Sequence, residues 1–464
     1  MIPLNYSPQS DLIFDKLQHL PYACWLDSGK PYSHYGRYDI ISALPQTVIS
    51  VEGNTSSIQS LDPHGNVLKL DRCNSDPIQC LQQYLSHLEA PPELPESCPF
   101  MGGAIGYFGY DLGRRYMNLS AGRESRYGQR AFPDMIVGIY HWAIIQDHLL
   151  KQSYLIKLRS CGDNQLEHIQ ACLQAEAPQT DKPFRLTQLY PSITRQEYLA
   201  QIDKVHEYIL AGDCYQVNLA QRFQGQYSGR PYWAYQRLRR EMASPFSAYL
   251  QFGEKAILSL SPERFLEVKN GKVTTQPIKG TIARSADADI DQQRGKDLKR
   301  DDKNQAENLM IVDLLRNDLG KHCEPGSIHV DELFSLQSFP NVHHLVSTIS
   351  GHLCNKSSSL DLLRDCFPGG SITGAPKLRA MQIIDELECG FREVYCGSIG
   401  YIGLNGDMDT NIAIRTVYCD GARLYCWGGG GIVADSQADS EYQESLDKIN
   451  KILSVLSSLP KTGL

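Results

Sequence analysis

The chain has 464 residues, of which 42% are hydrophobic and 21% are charged, a composition typical of a globular protein with a large buried core. Its formal net charge of -8 argues against a general binder of nucleic acid or anionic membranes, since either would favour a basic face. No stretch approaches the roughly 20 apolar residues that span a bilayer, and the first residues lack the pattern of a secretory signal. The 14 cysteines include no C-x-x-C pair, which favours reduced thiols and a cytoplasmic location.

Two polar or proline-rich stretches interrupt the chain, at residues 89–99 and 162–193. The second predicts a domain boundary, with an N-terminal domain at residues 1–180 and a second domain at residues 190–464. No repeat of fixed period and no low-complexity tract is present, which disfavours solenoids and propellers.

The second half predicts helices interspersed with strands. Thr194 and Glu197 form a capping-box pattern before a helix that Gly212 ends, and apolar alternation predicts a strand from Tyr215 onward. The Asn270-Gly271 pair predicts a tight hairpin.

The last strand patterns, at residues 396–404, 411–418 and 422–427, are separated by Asn-Gly and Asp-Gly turns. Such short turns predict an antiparallel meander. The expected fold class is therefore α+β, with antiparallel sheets packed together and covered by helices.

A lysine and a glutamate stand at turns of this region, Lys279 in Gln276-Pro-Ile-Lys-Gly-Thr281 and Glu263 in Ser261-Pro-Glu-Arg-Phe265. An apolar neighbour such as Ile278 can desolvate the Lys279 amine and lower its pKa from about 10.4, which would make it a nucleophile or base. On composition alone, a solvated lysine is the commoner explanation.

A predicted helix at residues 303–320 carries Glu307 on the same face as Met310, Ile311 and Leu314. A carboxylate there needs a partner, either a hard cation such as magnesium or a salt bridge. His344 alternates with apolar residues on a predicted strand, where it would serve in proton transfer or as a hydrogen-bonded core histidine.

Glycines mark two further sites. Residues 369–377 lead into a predicted helix capped by Ser371 or Thr373, whose terminus would attract an anion or be a plain cap; Leu378 after the lysine excludes a P-loop. Arg415 lies on the predicted strand 411–418, and Gly428 to Gly431 directly follow the next predicted strand, 422–427. Four glycines there suggest that a ligand approaches the backbone closely, and Arg415 would hold an anion or form a salt bridge.

The last predicted helix opens with a capping-box pattern from Ser440 to Gln443. Glu441, Glu444 and Lys448 line a side away from its apolar face. Periodicity alone favours a solvated charged face.

In this order, the motifs at residues 261–265, 277–281, 307–318, 342–347, 374–377 and 414–416 resemble those of the chorismate-utilising family, which includes anthranilate synthase component I, isochorismate synthase and salicylate synthase. The resemblance covers residues 195–457 and implies that Glu307 and Glu444 bind Mg²⁺, with Glu441 nearby through water. The residues that match the family's substrate positions are Gly280, Thr281, Tyr401, Arg415, Gly429, Gly431 and Lys448.

Within the family, members that form anthranilate carry alanine at the position of Lys279, whereas members that aminate chorismate at C4 carry lysine. The resemblance thus implies that the Lys279 amine attacks C2, that Glu263 protonates the departing C4 hydroxyl, and that ammonia then adds at C4. The product would be 4-amino-4-deoxychorismate, a precursor of 4-aminobenzoate and folate. His344 would be an auxiliary acid-base or orienting residue.

The N-terminal half resembles the family more loosely, through motifs at residues 25–28, 36–39 and 100–107. In relatives these pack beside a tryptophan pocket, and the residues that match its lining are Ser28, Arg37, Tyr38, Tyr215, Pro245, Phe246 and Ser247. A packed seam without ligand is the alternative.

The source of ammonia is expected outside the chain, because no Gly-x-Cys-x-Gly nucleophile turn is present. A separate glutamine amidotransferase subunit is the expected partner, and free ammonia can serve at high concentration. The competing functions are anthranilate formation, against which Lys279 argues, addition of water at C2, and a non-catalytic subunit that binds tryptophan. The last is disfavoured by the intact Glu263, Lys279, Glu307, His344, Glu441 and Glu444.

Overall fold

A computed structural model describes residues 1–89, 98–119, 130–178, 183–339 and 341–458 of the chain. In these ranges the strands form two sheets, of 13 and 12 strands, in which every described pair is antiparallel. Helices cover the sheets, so the predicted α+β class is confirmed. No helix in the described ranges has both the length and the apolar character needed to cross a membrane.

The described helices are α1 (Asp11–Leu17), α2 (Pro77–Ser86), α3 (Gly113–Tyr116), α4 (Asp163–Gln174), α5 (Arg195–Leu210), α6 (Pro231–Glu241), α7 (Ala288–Arg300), α8 (Asp302–Leu319), α9 (Ser359–Cys366), α10 (Lys377–Leu387) and α11 (Ala438–Ser457).

The described strands are β1 (Ile2–Leu4), β2 (Cys24–Asp27), β3 (Tyr38–Ser42), β4 (Thr47–Glu52), β5 (Thr55–Leu61), β6 (Val67–Cys73), β7 (Gly103–Phe108), β8 (Met135–Tyr140), β9 (Trp142–Asp147), β10 (Gln152–Lys157), β11 (Arg185–Leu186), β12 (Tyr190–Pro191), β13 (Gln216–Ser228), β14 (Phe246–Phe252), β15 (Lys255–Ser261), β16 (Arg264–Lys269), β17 (Lys272–Gln276), β18 (Ile278–Ala283), β19 (His329–Ser338), β20 (Val342–His352), β21 (Gly374–Ala375), β22 (Ser398–Gly403), β23 (Met408–Asn411), β24 (Thr416–Cys419) and β25 (Arg423–Ile432).

Each sheet consists of two strand blocks, one from each half of the chain. The first sheet runs β1-β10-β9-β3-β2 and then β14-β15-β24-β25-β13-β11, and the second runs β18-β20-β17-β16-β23-β22 and then β7-β8-β4-β5-β6. The blocks meet at two seams, where β2 pairs with β14 and β7 pairs with β22. The predicted domain division at residues 180–190 stays a prediction, and residues 179–182 near it lie outside the described residues.

Apolar side chains from both sheets form one core between them, as Ile105 and Val137 of the second sheet join Leu250 and Ile257 of the first. The other face of the first sheet packs against helices, with Phe14 of α1 among the buried residues there. The fold is therefore layered as helices, sheet and sheet, and burial of this apolar surface is its main source of stability.

Several predicted elements are confirmed. Helix α5 begins with the capping box of Thr194 and Glu197. The hairpin of β16 and β17 turns at Asn270 and Gly271, both with positive φ, as a tight turn between twisted strands requires.

The predicted meander after residue 396 is wrong. Strands β22 and β23 form a hairpin in the second sheet, whereas β24 and β25 form one in the first. The chain crosses between the sheets at residues 412–415, because Arg415 has a φ of 49° and interrupts the extended backbone. Arg415 therefore does not alternate with Ala413 and Val417 along one strand.

Two predicted helix starts are also wrong. Helix α11 begins at Ala438, with Gln437 as its N-cap, so Ser440 lies inside the first turn. Helix α10 begins at Lys377 after Pro376, because residues 374–375 are extended and pair with β13.

Candidate active site

Glu263 and Lys279 are brought together by a turn and a β-bulge. Glu263 occupies the connection from β15 to β16, and Lys279 lies on β18. The register of β18 against β20 shifts between Ile278 and Thr281, and Gly280 in this bulge has a φ of 86°. Bulges redirect side chains and are common beside active sites.

The Glu263 carboxyl group is buried, with only 4% of the residue exposed. The Ser371 hydroxyl donates a hydrogen bond of 2.6 Å to its Oε1 atom. Burial raises the pKa of Glu263 to about 7, although the Ser371 hydrogen bond and the Lys279 charge both act to lower it. The group can therefore hold a proton near neutral pH.

Burial shifts the pKa of Lys279 in the opposite direction. It lowers the pKa of the Lys279 amine, and the nearby Lys448 charge acts in the same direction, while Glu307 and Glu263 raise it. The net pKa is below that of an ordinary lysine, which increases the fraction of neutral, nucleophilic amine.

The glycine run of β25 lies directly over these groups. A Cβ atom on Gly431 would lie 2.8 Å from Gln216 Nε2 and 3.2 Å from Lys279 Nζ. A Cβ atom on Gly429 would lie 2.4 Å from the Leu219 carbonyl oxygen. Only glycine leaves this space free beside the Lys279 amine.

Glu307 of α8 faces Glu441 and Glu444 of α11 across Gly430. Lys303 Nζ lies 3.3 Å from Glu441 Oε1 and 4.0 Å from Glu307 Oε1, and a Cβ on Gly430 would lie 3.4 and 3.5 Å from oxygens of Glu441 and Glu444. Burial raises the pKa of Glu307, and the two other carboxylates raise it further. The charged residues of α11 thus face the site.

These carboxylates fit a hard cation by their chemistry, because Mg²⁺ prefers oxygen ligands. They do not converge on one point as they stand: in the described residues no group of three acidic, histidine or cysteine side chains is arranged to hold one ion. Lys303 bridges Glu307 and Glu441, and Lys448 pairs with Glu444 at 2.6 Å. Lys303 and Lys448 thus provide, next to these carboxylates, the positive charge that a bound cation would provide.

His344 lies on β20, so the predicted strand is confirmed, and β20 pairs with β18. Its Nδ1 atom is 2.8 Å from the Thr281 hydroxyl oxygen, and its ring packs edge-on against Phe339. Burial, assisted by the charge of Arg415, lowers the pKa of His344 well below the ordinary value. Its Nε2 atom is buried and has no hydrogen-bond partner among the described residues.

Arg415 presents a guanidinium group for which the described residues provide no hydrogen bond or ion pair. Burial lowers its pKa to about 10, while Glu263 acts to raise it. A partly exposed guanidinium without a carboxylate partner among the described residues is suited to hold an anionic ligand.

A second cavity, of about 310 Å³, lies at the seam between β2 and β14. It is lined by six of the seven residues predicted for a tryptophan pocket: Ser28, Arg37, Tyr38, Pro245, Phe246 and Ser247. Tyr215 is not among the lining residues; it lies just before β13 and is 72% exposed, whereas the next residue, Gln216, is fully buried.

Tyr401 also lines this cavity, although it was predicted to hold the substrate beside Lys279. It lies on β22 opposite Asp409 of β23, and its ring packs edge-on against Phe100. The nearby Arg264 donates two hydrogen bonds to Asp409, of 3.1 and 3.0 Å. Tyr401 therefore lies among the residues of the seam cavity.

Two polar groups of the site were missed by the sequence analysis. Both amide atoms of Gln216 are buried without a partner among the described residues, next to Gly431. Ser371 was predicted only as a helix cap, but it binds Glu263. For Gln216, the available signal was a glutamine within an apolar strand pattern. For Ser371 there was no local signal, because its contact with Glu263 is long-range.

The fold and this site define an enzyme of the chorismate-utilising type. The model of the chorismate binding enzyme family matches residues 22–454, and the chain belongs to this family. The predicted resemblance is thereby confirmed.

The chain is similar over nearly its whole length to named relatives. Aminodeoxychorismate synthase component 1 of Salmonella typhimurium is 46% identical over 462 residues, which cover 99% of this chain and 98% of the relative. The protein of the same name from Escherichia coli K12 is 46% identical, with 96% of each chain covered. The crystal structure of anthranilate synthase component I from Streptococcus pneumoniae has a TM-score of 0.77 at 32% identity, covering 90% of this chain and 92% of that chain.

Proposed function

We propose that this enzyme converts chorismate and ammonia to 4-amino-4-deoxychorismate. The observation that carries the proposal is the pairing of Glu263 and Lys279, since burial favours the protonated acid at one and the neutral amine at the other. These are the two states that a nucleophilic displacement with acid assistance requires. The full-length similarity to relatives named aminodeoxychorismate synthase component 1 supports the same activity.

The reaction consists of two displacements. The Lys279 nitrogen forms a bond to C2 of chorismate, the ring double bonds shift, and the C4–O bond breaks as Glu263 gives its proton to the leaving hydroxyl, which departs as water. Ammonia then forms a bond to C4, the double bonds shift back, and the bond from Lys279 to C2 breaks. The proton lost by the added ammonia balances the one that Glu263 gave.

Arg415 and the backbone around Gly429, Gly431 and Gly280 hold the substrate in this proposal. The unpartnered guanidinium binds a carboxylate, and the glycines let the ring approach Lys279. Lys448 donates a hydrogen bond of 3.0 Å to the Gly429 carbonyl oxygen, which fixes the backbone beside the ring. Thr281 and His344 orient the far side of the site through their 2.8 Å contact.

We further propose that Glu307, Glu441 and Glu444 hold Mg²⁺. When bound, the ion supplies positive charge that binds the ring carboxylate of chorismate. Lys303 and Lys448 would then move off the carboxylates that they contact.

Ion binding has a readout that is independent of activity. Mg²⁺ alone should raise the Tm of the protein, because it binds the folded state, and Glu444→Gln should weaken this effect. Glu207→Gln, at an exposed glutamate of α5, is the control. A Tm that Mg²⁺ leaves unchanged at millimolar concentrations would contradict the metal site.

The cavity of about 310 Å³ is proposed to hold tryptophan. Phe246, Tyr38 and Pro245 give it apolar walls, and the charged Arg264 and Asp409 provide partners for a carboxylate and an ammonium group. Added L-tryptophan should raise the Tm more than L-phenylalanine does. Equal shifts with both amino acids would argue for a packed seam without a specific ligand.

The ammonia is proposed to come from a separate glutamine amidotransferase subunit in the cytoplasm. The chain shows 14 free cysteines, which agrees with a reducing compartment.

The test is chromatographic identification of the product from purified protein, chorismate, Mg²⁺ and ammonium. The expected product is 4-amino-4-deoxychorismate, and Lys279→Ala should abolish its formation while Lys272→Ala, at an exposed lysine on the preceding strand β17, should not. Release of anthranilate by the parent protein would overturn the proposal and leave family membership standing.

The covalent step can be tested separately. With chorismate and Mg²⁺ but no ammonia, intact-protein mass spectrometry should detect an adduct on the parent chain that is missing from Lys279→Ala. An active enzyme without any trapped adduct, even after rapid acid quench, would favour direct attack by ammonia.

A further inference from the structure

Two cysteines in the N-terminal half of the chain, far in sequence from Glu263 and Lys279, are in contact with each other. Cys73 ends β6, and Cys80 lies in the second turn of α2. Their sulfur atoms are 3.7 Å apart. Cys73 is half-buried, whereas Cys80 is only 4% exposed.

The surroundings make the two thiols chemically different. Hydrogen bonding from the Ser75 backbone N–H lowers the pKa of the Cys73 thiol, and the charge of Arg115 acts in the same direction. Burial raises the pKa of the Cys80 thiol to about 11, so this thiol stays protonated. A half-buried thiol with a lowered pKa, in contact with a buried thiol, is the arrangement of an attacking and a resolving cysteine.

Arg115 is fixed close to this pair. Its Nη2 atom donates hydrogen bonds of 3.3 Å to the carbonyl oxygens of Asn74 and Ser75, the residues that follow Cys73. A positive group anchored there favours negative charge on the Cys73 sulfur.

We propose that Cys73 and Cys80 form a thiol–disulfide exchange site for low-molecular-weight disulfides. The Cys73 thiolate attacks one sulfur of the small disulfide, so that a bond forms to Cys73 and the original S–S bond breaks. The first small thiolate leaves and takes a proton from solvent. Cys80 then loses its proton to solvent and attacks Cys73, which expels the second small thiol. The two cysteines are oxidised, and the small disulfide is reduced to two thiols.

Closure requires only a local movement. A disulfide has an S–S distance of about 2.05 Å, so the sulfurs must approach by about 1.7 Å from their present 3.7 Å. The connecting residues Asn74 and Ser75 are exposed, and an exposed connection can adjust without disturbing the core.

The bond would also tie β6 to α2, and α2 in turn contacts the start of α9. Gln82 of α2 donates hydrogen bonds to Ser358 and Asp361, the two residues of the α9 capping box. Oxidation would therefore constrain α2, which contacts both elements.

The test is to incubate the native full-length protein with oxidised glutathione and to map its peptides by mass spectrometry. In the parent chain we expect a Cys73–Cys80 disulfide that carries no glutathione and is reversed by dithiothreitol. Cys80→Ser should accumulate a mixed disulfide on Cys73, and Cys73→Ser should form neither product. Cys389→Ser, at an exposed cysteine, is the control and should behave as the parent.

The parent chain alone can overturn the proposal, whatever the variants do to folding. A stable mixed disulfide on Cys73 without closure would show that Cys80 does not resolve it. Absence of the Cys73–Cys80 disulfide while Cys389 is glutathionylated would show that the pair is unreactive.

Discussion

At the residue scale, the site depends on burial acting in opposite directions on an acid and a base. Desolvation favours the neutral form of each group, so the pKa of Glu263 rises to about 7 while that of Lys279 falls. In water the same pair would exist as carboxylate and ammonium, which can perform neither step. Burial alone therefore favours the protonated acid at Glu263 and the neutral amine at Lys279, which are the reactive forms.

Ser371→Ala should shift the pH dependence of the reaction. The Ser371 hydroxyl stabilises the charged carboxylate of Glu263, so its removal should raise the Glu263 pKa further. Glu263 acts as an acid only while protonated, and the parent rate should therefore fall as pH rises above 7. In the variant, the fall of kcat/KM should begin at a higher pH than in the parent protein.

Ser398→Ala is the control, because the Ser398 hydroxyl is equally buried but donates to the Asn411 carbonyl oxygen. A shift of the profile to lower pH in Ser371→Ala, or the same shift in both variants, would contradict the assignment of Glu263 as the acid.

Gly431→Ala should lower kcat/KM at least about tenfold. The new methyl group would lie 3.2 Å from Lys279 Nζ and 2.8 Å from Gln216 Nε2, so the amine must move away from its reactive position. Gly162→Ala adds a methyl group that meets nothing within 4 Å and should leave the rate unchanged. Full activity in Gly431→Ala would show that the Lys279 amine does not need the space that Gly431 leaves free.

The sequence predicted the reactive residues better than their surroundings. Glu263 and Lys279 were identified because they lie in the short motifs at residues 261–265 and 277–281. Tyr215 and Tyr401 were misplaced, since a residue's face on a strand depends on the register between strands, which one sequence does not specify. The contact of Ser371 with Glu263 joins residues 108 positions apart and has no local signal.

At the element scale, a buried ion pair joins α6 to β2. Arg239 Nε lies 2.7 Å from Asp27 Oδ2, and both side chains are at most 1% exposed. The Tyr235 hydroxyl donates a further hydrogen bond to Asp27. The pair connects the two halves of the chain beside the seam of the first sheet.

Arg239→Ala should destabilise the protein by about 3–5 kcal/mol, because it leaves the Asp27 carboxylate buried without its partner. Urea unfolding measures this loss. Lys204→Ala removes an exposed pair with Glu207 and should leave the stability nearly unchanged, because solvent screens such pairs. Equal losses in both variants would mean that the Arg239 pair is not desolvated.

Elements with local signals were predictable, and those set by tertiary contacts were not. The capping box of α5 and the Asn270-Gly271 turn lie within a few residues, so the sequence contains the whole signal. The chain crosses between the sheets at residues 412–415, where Arg415 has a positive φ. The alternation of apolar residues continues through this segment, so the sequence gives no sign of the crossing.

At the scale of the whole molecule, each half of the chain supplies one block to both sheets. The blocks join through four residue pairs between β2 and β14 and six between β7 and β22. The cavity of about 310 Å³ takes residues from both halves, such as Tyr38 and Phe246. Neither half therefore completes this cavity alone.

Separate expression of residues 1–178 and 183–464 should yield fragments without cooperative unfolding, because each exposes two strand edges and part of the shared core. Co-expression should restore a complex that melts cooperatively and is active. Thermal melts followed by circular dichroism provide the measurement. Cooperative melting and chorismate binding by fragment 183–464 alone would instead support independent domains.

The seams also determine how long a growing chain remains incomplete. All six residues of β7 are buried in the finished protein, but its partner β22 starts about 290 residues after β7 ends. At roughly 5–20 residues per second, the ribosome needs roughly 15–60 s to make that length. For this interval we expect the nascent chain to present an unpaired apolar edge to its neighbours on the polysome. The yield of folded protein should therefore fall in cells depleted of the chaperones that shield such edges, and an unchanged yield would contradict this expectation.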